Sequence, residues 1–258
     1  MQATVTIGKK IDSALVADDV LTIRGLFKSF GSNHVLIDFD LKLHRGENVA
    51  VLGKSGSGKS VLIKCIIGLL KPDKGTINVL GQDIDELNIR EMDEVRTRIG
   101  FLFQSNALYD SMTVRENLEF PLRRHWIKMT TAERNSKVME VLNNVGLAHT
   151  VDMMPIELSG GMRKRIALAR TLILDPEIIL YDEPTTGLDP ITGKEISKLI
   201  KAVGEKYNTS ALIISHDINC IRATADRIIM LIDGRCYAQG TYDELKEIND
   251  EKVKQFFE

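Results

Sequence analysis

The eight residues Gly53-Lys54-Ser55-Gly56-Ser57-Gly58-Lys59-Ser60 carry the spacing G-x-x-x-x-G-K-S. Glycines there let backbone N–H groups converge on phosphate oxygens, and a following helix turns its positive N-terminal end toward them. Lys59 is placed to reach the outer phosphates, and the Ser60 hydroxyl is a ligand for Mg²⁺. The chemistry predicted is the binding of a nucleoside triphosphate. Asp182 and Glu183 end the apolar run Ile178-Ile179-Leu180-Tyr181. Mg²⁺ takes oxygen ligands, so Asp182 is the expected partner of Ser60, directly or through water, and Glu183 is left to orient or deprotonate an attacking water. His216 ends a further apolar run, Ala211 to Ser215, where an imidazole can reach a γ-phosphate. Taken alone, a histidine in such a loop is equally an ordinary surface residue. Finally, Leu158-Ser159-Gly160-Gly161-Met162 precedes Arg163, Lys164 and Arg165. Ser159 is a good N-cap and the two glycines expose N–H groups, so this helix start can also receive an anion; the pattern equally describes a capped helix with a solvated basic face.

These residues need strands that end where the chemistry is, and helices behind them. Val20–Ile23 and His34–Leu43 read as strands of an antiparallel sheet. Asn48–Leu52 reads as a buried strand, followed by the glycine loop and a helix from Lys59 to Leu70 that Lys71-Pro72-Asp73-Lys74-Gly75 ends. Ile99–Phe103 is a short strand that leads into a helical middle region of about 105–175, whose clearest helix starts at Thr130 with Glu133 three residues on, a capping box. Strand 177–182, helix 190–206, strand 211–214 and strands 227–232 and 236–239 complete the body. Strands buried on both faces and alternating with helices predict an α/β fold with a mostly parallel sheet. Residues 1–19 show little periodicity and are expected to form a loose tail before one domain over 20–258.

Composition narrows the function classes. The chain has 258 residues, 34 Lys plus Arg against 36 Asp plus Glu, and a net charge of −2. No global positive field draws nucleic acid, and 5% aromatic residues argue against stacking platforms for single strands. The three cysteines, Cys65, Cys220 and Cys236, are far apart, which fits a reducing compartment. No apolar run approaches the roughly 20 residues that cross a bilayer, and the N-terminus lacks an apolar core with a cleavage site, so the expected location is the cytosol or a membrane reached through partners.

In order, the phosphate loop at 53–60, Gln104 after a strand, Leu158-Ser159-Gly160-Gly161, the run 178–183, Gly187-Leu188-Asp189 and His216 resemble the motifs of ATP-binding-cassette (ABC) ATPases, and the resemblance covers nearly everything from residue 20 onward. It implies a RecA-like, mostly parallel sheet with an N-terminal antiparallel β-subdomain and an inserted α-helical subdomain. It implies a head-to-tail dimer that sandwiches two ATP molecules, each with Mg²⁺, between the phosphate loop of one copy and the signature of the other. By residue, it assigns Gly53 through Val61 to the phosphates, Phe30 to stack on adenine, Gln104 to sense Mg²⁺ and couple to a transmembrane partner, and Asp182 to the metal. It assigns Glu183 and His216 to hydrolysis and the γ-phosphate, Ser159, Gly160 and Gly161 to the opposing nucleotide, and Asp189 to communication across the dimer. For Phe30 the residues also allow a core aromatic beside Gly31. Met162 departs from the usual glutamine of the signature, and a thioether is a weak acceptor.

Gln104 to Asn117 with Phe120-Pro121-Leu122-Arg123, Leu158 to Arg165, and the ending Val253-Lys254-Gln255-Phe256-Phe257 are similar to Mla/Mce-type lipid-transport ATPases. That likeness implies phospholipid movement between the inner and outer membranes of a bacterial envelope, driven from the cytoplasmic face of the inner membrane. The implied partners are permease subunits docking near Gln104–Arg123, an Mce-domain lipid-binding protein and a small regulatory subunit. Import of a small polar solute and a cell-division tether are the readings left beside it.

Overall fold

The computed structural model describes residues 19–125 and 127–257. The tail expected over 1–19 lies outside the described residues except for Asp19, which already belongs to the first strand. Strands β1 (Asp19–Phe30), β2 (Asn33–His44), β4 (Lys74–Val79) and β5 (Gln82–Asp83) form an antiparallel sheet in the order β2-β1-β4-β5. A second sheet has the order β10-β9-β3-β8-β7-β6, built from β3 (Asn48–Leu52), β6 (Ile99–Leu102), β7 (Ile178–Asp182), β8 (Ser210–Ser215), β9 (Arg227–Ile232) and β10 (Arg235–Gly240). Its pairs are parallel except β10 with β9, an antiparallel hairpin at the edge. The helices are α1 (Lys59–Ile66), α2 (Ile89–Thr97), α3 (Val114–Arg124), α4 (Thr131–Asn144), α5 (Gly160–Leu172), α6 (Pro190–Tyr207), α7 (Ile218–Thr224), α8 (Tyr242–Lys246) and α9 (Glu251–Lys254).

Side chains on a strand alternate between faces, and here both faces are covered. In β7, Ile179 and Tyr181 join a core shared with α3–α6, while Ile178 and Leu180 join one shared with α1, α2 and the antiparallel sheet. β8 divides in the same way, with Ala211 and Ile213 on the first side and Leu212 and Ile214 on the second. Truncating one such residue, as in Leu180→Ala, costs roughly 2–5 kcal/mol. The central sheet is therefore the rigid platform of the molecule, and anything at its strand ends inherits that rigidity.

Two departures from the sequence reading have local causes. The helix after the phosphate loop stops at Ile66, four residues short of Leu70, because Gly68 adopts φ +66 and turns the chain early. Strands β4 and β5 are hidden in a polar stretch; β4 exists by pairing with β1, with Ile77 and Val79 as its inward residues, and β5 by pairing with β4. Helix α3 contains Pro121 yet persists; its Thr113 capping box holds the first turn, and Val114, Leu118 and Leu122 are buried. The capping box at Thr130 is present as expected, with Thr130 Oγ1 accepting from the Glu133 amide.

Candidate nucleotide site

Four neighbouring parallel strands, β3, β8, β7 and β6, deliver the motif residues. β3 runs into Gly53, β8 into Ser215 and His216, β7 into Asp182 and Glu183, and β6 into Phe103 and Gln104. The registers Leu52↔Ser215 and Asp182↔Ile214 put these ends level on one edge of the sheet. Ligands of open α/β sheets bind at the carboxyl ends of strands, where loops are free of the ladder and helix N-termini point inward.

The loop's glycines are required by space as well as by φ. A Cβ on Gly53 would lie 2.6 Å from Ser57 Oγ and 2.8 Å from the Leu231 carbonyl oxygen. Gly58, the N-cap of α1, sits at φ +103, and a Cβ there would lie 2.8 Å from Val35 Cγ1. The Lys59 ammonium is curled into the loop, donating to the carbonyls of Gly53 (2.7 Å) and Lys54 (2.9 Å), with Glu183 Oε1 at 3.7 Å. Burial pulls its pKa below the ordinary lysine value, against the opposing pull of Glu183 and Asp182.

Alternation along a strand would send Asp182 and Glu183 to opposite faces. The chain breaks that alternation at Glu183, which takes φ +50 while its N–H donates to the Ile214 carbonyl at 2.8 Å. Both carboxylates consequently act on Lys59. Glu183 is 9% exposed, and its Oε2 lies 2.8 Å from His216 Nδ1 and accepts from Thr186 Oγ1 (3.3 Å) and Ser215 Oγ (3.4 Å). Desolvation, then the neighbouring Glu183, raises the pKa of Asp182. Two buried oxygens in this group have no hydrogen-bond partner: Ser57 Oγ and Asp182 Oδ1. A buried polar atom left unpaired costs about 1–3 kcal/mol. A hydroxyl in the phosphate loop and a carboxylate oxygen at the end of β7, both unspent, fit a phosphate and a divalent cation, the group that the motif predicts.

Other expected residues lie further out. Phe30 ends β1 and is 48% exposed, with Lys28 Nζ 5.5 Å from its ring centre, so it is not a core aromatic. Its hairpin partner Asn33 does line the cavity of about 410 Å³ beside the phosphate loop, together with Val35, Lys54 to Ser57 and Gln255. Lys54 Nζ donates to Gln255 Oε1 at 2.6 Å, which brings the C-terminal segment against the loop. Ser60 and Gln104 are exposed, and Val61 is half-buried.

The signature residues line a different cavity, of about 480 Å³, with Ser159, Gly160, Gly161, Gly187 and Asp189 around it. Ser159 caps α5 by accepting from the Met162 amide at 3.2 Å, and a Cβ on Gly161 would lie 2.7 Å from Thr192 Cγ2. Asp189 caps α6, accepting from the amides of Ile191 and Thr192, and the hydrogen bond from the Thr192 side chain, then that from its amide, holds the carboxyl below the usual range. Within one chain the two anion-receptive helix ends therefore open into separate spaces.

Two residues of consequence escaped the sequence reading. Ser215 bonds Glu183 from the strand beside it, a contact only the sheet register creates. Lys164, which the basic run 163–165 would place on a solvated face, is 2% exposed and donates to the Gln104 carbonyl at 2.9 Å. Burial lowers its pKa to about 8, opposed by the charge of Asp182.

Residues 36–186 match the family described as "ABC transporter". The "Probable ribonucleotide transport ATP-binding protein mkl" of Mycobacterium leprae is 42% identical over 236 residues, covering 92% of this chain and 68% of that one. The "Intermembrane phospholipid transport system ATP-binding protein MlaF" of Haemophilus influenzae is 39% identical over 238 residues, covering 92% of this chain and 90% of that one. Among solved structures, a "dimeric structure of a post-hydrolysis state of the ATP-binding cassette MJ0796 bound to ADP and Pi" superposes with a TM-score of 0.77 at 33% identity, covering 86% of this chain and 98% of that one.

Proposed function

Because the chain belongs to the ABC transporter family and is an ATP-hydrolysing cassette, we propose that it powers phospholipid movement across a bacterial envelope from the cytoplasmic face of the inner membrane. The observation that carries the nucleotide part is the Lys59 ammonium curled into the phosphate loop, together with two unspent buried oxygens, Ser57 Oγ of that loop and Asp182 Oδ1 at the end of β7. The cargo reading is supported by the segments 104–123, 158–165 and 253–257 and by the 39% identity to the phospholipid-transport relative over 92% of this chain.

In this reading the amides of residues 53–61 hold the triphosphate, and Lys59 turns from its own loop carbonyls to the β- and γ-phosphates. Ser60, Asp182 and Gln104 would hold Mg²⁺, which supplies positive charge to the phosphate oxygens. Glu183 takes a proton from water as the water oxygen bonds to the γ-phosphorus and the bridging oxygen leaves with ADP. His216 fixes the Glu183 carboxylate through Nδ1, and Ser215 and Thr186 fix it from the other side, so the base is oriented before substrate arrives. Ser159, Gly160 and Gly161 of a second copy close the pocket, with Asp189 beside them at the seam. The separation of the two cavities within one chain and the dimeric solved relative support that arrangement. ATP can shift the open-to-closed balance only through such contacts, made in the closed state alone.

A groove of about 420 Å³ lined by Phe101, Phe103, Tyr109, Phe120, Arg124 and Arg170 supports docking of a permease helix near Gln104–Arg123. Among the described residues no helix is long and apolar enough to cross a membrane. An Mce-domain lipid-binding protein and a small regulatory subunit complete the proposed assembly.

The test is reconstitution. The complex that co-purifies with this chain is placed in vesicles and assayed for ATP-dependent transfer of labelled phospholipid and, in parallel, for ribonucleotide and small polar solute uptake. Lipid transfer that vanishes in a Lys59→Ala variant is expected. Solute uptake without lipid transfer overturns the cargo reading and leaves the ATPase intact.

A further inference from the structure

Lys164 sits on α5, the helix whose first turn is the signature, and its ammonium reaches the loop that follows β6. It donates to the carbonyl of Gln104 at 2.9 Å and lies 3.5 Å from that of Phe103. It is also near enough to Asp182 for the two charges to act on one another. Six residues along the same helix, Arg170 donates to the carbonyls of Ala107 (2.7 Å) and Asn106 (3.0 Å), both in left-handed conformation. The Gln104 loop is thus fastened to the signature helix at two points, Lys164 and Arg170.

A buried ammonium is expensive to desolvate and is retained where it does something that a neutral residue does not. A hydrophobic residue at position 164 would fill the same volume but leave the Gln104 carbonyl short of a donor and remove one of the three lysines, with Lys59 and Lys64, whose charge acts on Asp182. We propose that Lys164 is a positioning residue for the metal side of the nucleotide site, holding the Gln104 loop in one arrangement from the signature helix. The inference rests on Mg²⁺·ATP binding at this site. It goes further by making the helix that serves the partner's nucleotide responsible for metal geometry at its own. Outer groups that orient metal ligands are commonly worth about 10–100-fold in metal affinity.

The experiment uses the full chain with ADP bound and Mn²⁺ as the spectroscopic probe, titrated by electron paramagnetic resonance. Lys164→Met is expected to weaken Mn²⁺ about tenfold, with ADP affinity measured in EDTA unchanged and Lys164→Arg restoring Mn²⁺ to within about threefold. Should the methionine variant not fold, Lys164→Gln, which keeps a neutral donor, carries the test with an expected loss of about threefold. Mn²⁺ affinity within twofold of the parent in the folded variant overturns the proposal. So does an equal loss of ADP affinity in EDTA, which would mark a merely structural role. A parent chain that binds neither ADP nor Mn²⁺ overturns the nucleotide reading itself, a result distinct from both.

Discussion

Replacing Glu183 by glutamine separates the chemical step from nucleotide binding. The amide has the length of the carboxylate, so its oxygen can still accept from Ser215 and Thr186 and meet His216 Nδ1 where Oε2 does now. What disappears is the ability to take a proton and a negative charge 3.7 Å from Lys59, in a pair whose side chains are 6% and 11% exposed. A positioned general base contributes roughly 10²–10⁴ in rate. A thousandfold loss corresponds to about 4 kcal/mol in the barrier. Binding moves the other way. At the effective dielectric of a protein site, charges about 4 Å apart attract by about 4 kcal/mol, and the variant releases Lys59 from that competitor. Triphosphate affinity is expected to hold or tighten, and the closed dimer to accumulate with ATP. Phosphate release gives the first quantity and equilibrium binding of a fluorescent ATP analogue the second, both in the complex purified with its permease. Turnover within tenfold of the parent would refute Glu183 as the base. Intact turnover loss with more than tenfold weaker ATP binding would refute the geometry that puts Glu183 in competition for Lys59.

Other perturbations address separate links. Gly161→Ala should drive a methyl into Thr192 and shift the signature turn, lowering ATP turnover at least tenfold while a single chain still binds ATP; unchanged turnover in the complex would show that the close contact is idle. Gly58→Ala combines φ +103 with the clash on Val35, so a loss of about 1–3 kcal/mol in thermal unfolding is expected. Burial raises the thiols of Cys65 and Cys236 to about 11, and raises that of Cys220 as well. Iodoacetamide at pH 8 should therefore label the folded chain slowly and all three cysteines rapidly in guanidinium, as followed by mass spectrometry. Hydrogen bonds from the backbone and side chain of Thr130 hold Glu133 below the usual carboxylate range, and those of Thr241 do the same for Glu244. A depressed carboxyl stabilises fully above its unfolded value, about 4.3, and ceases to do so as pH falls through the lower folded one. Amide-exchange protection at Thr130 and Thr241 should drop below pH 4 while the central sheet stays protected.

The sequence alone carried what depends on near neighbours. The phosphate loop, the Ser159 and Thr130 caps and the doubly buried strands were legible because spacing along the chain is also spacing in a turn or a strand. β4 was not, since it is decided by a partner distant in sequence, β1, and β5 follows only once β4 is in place. The site divides along the same line. Residue types announced a nucleotide and its cation. Only the tertiary structure decided that Glu183 leaves the strand's alternation by taking φ +50, that Ser215 arrives beside it through sheet register, and that Lys164 points inward under the Gln104 loop. The physical reason is that a side chain's direction and exposure are set by what packs across from it, and no local pattern records that.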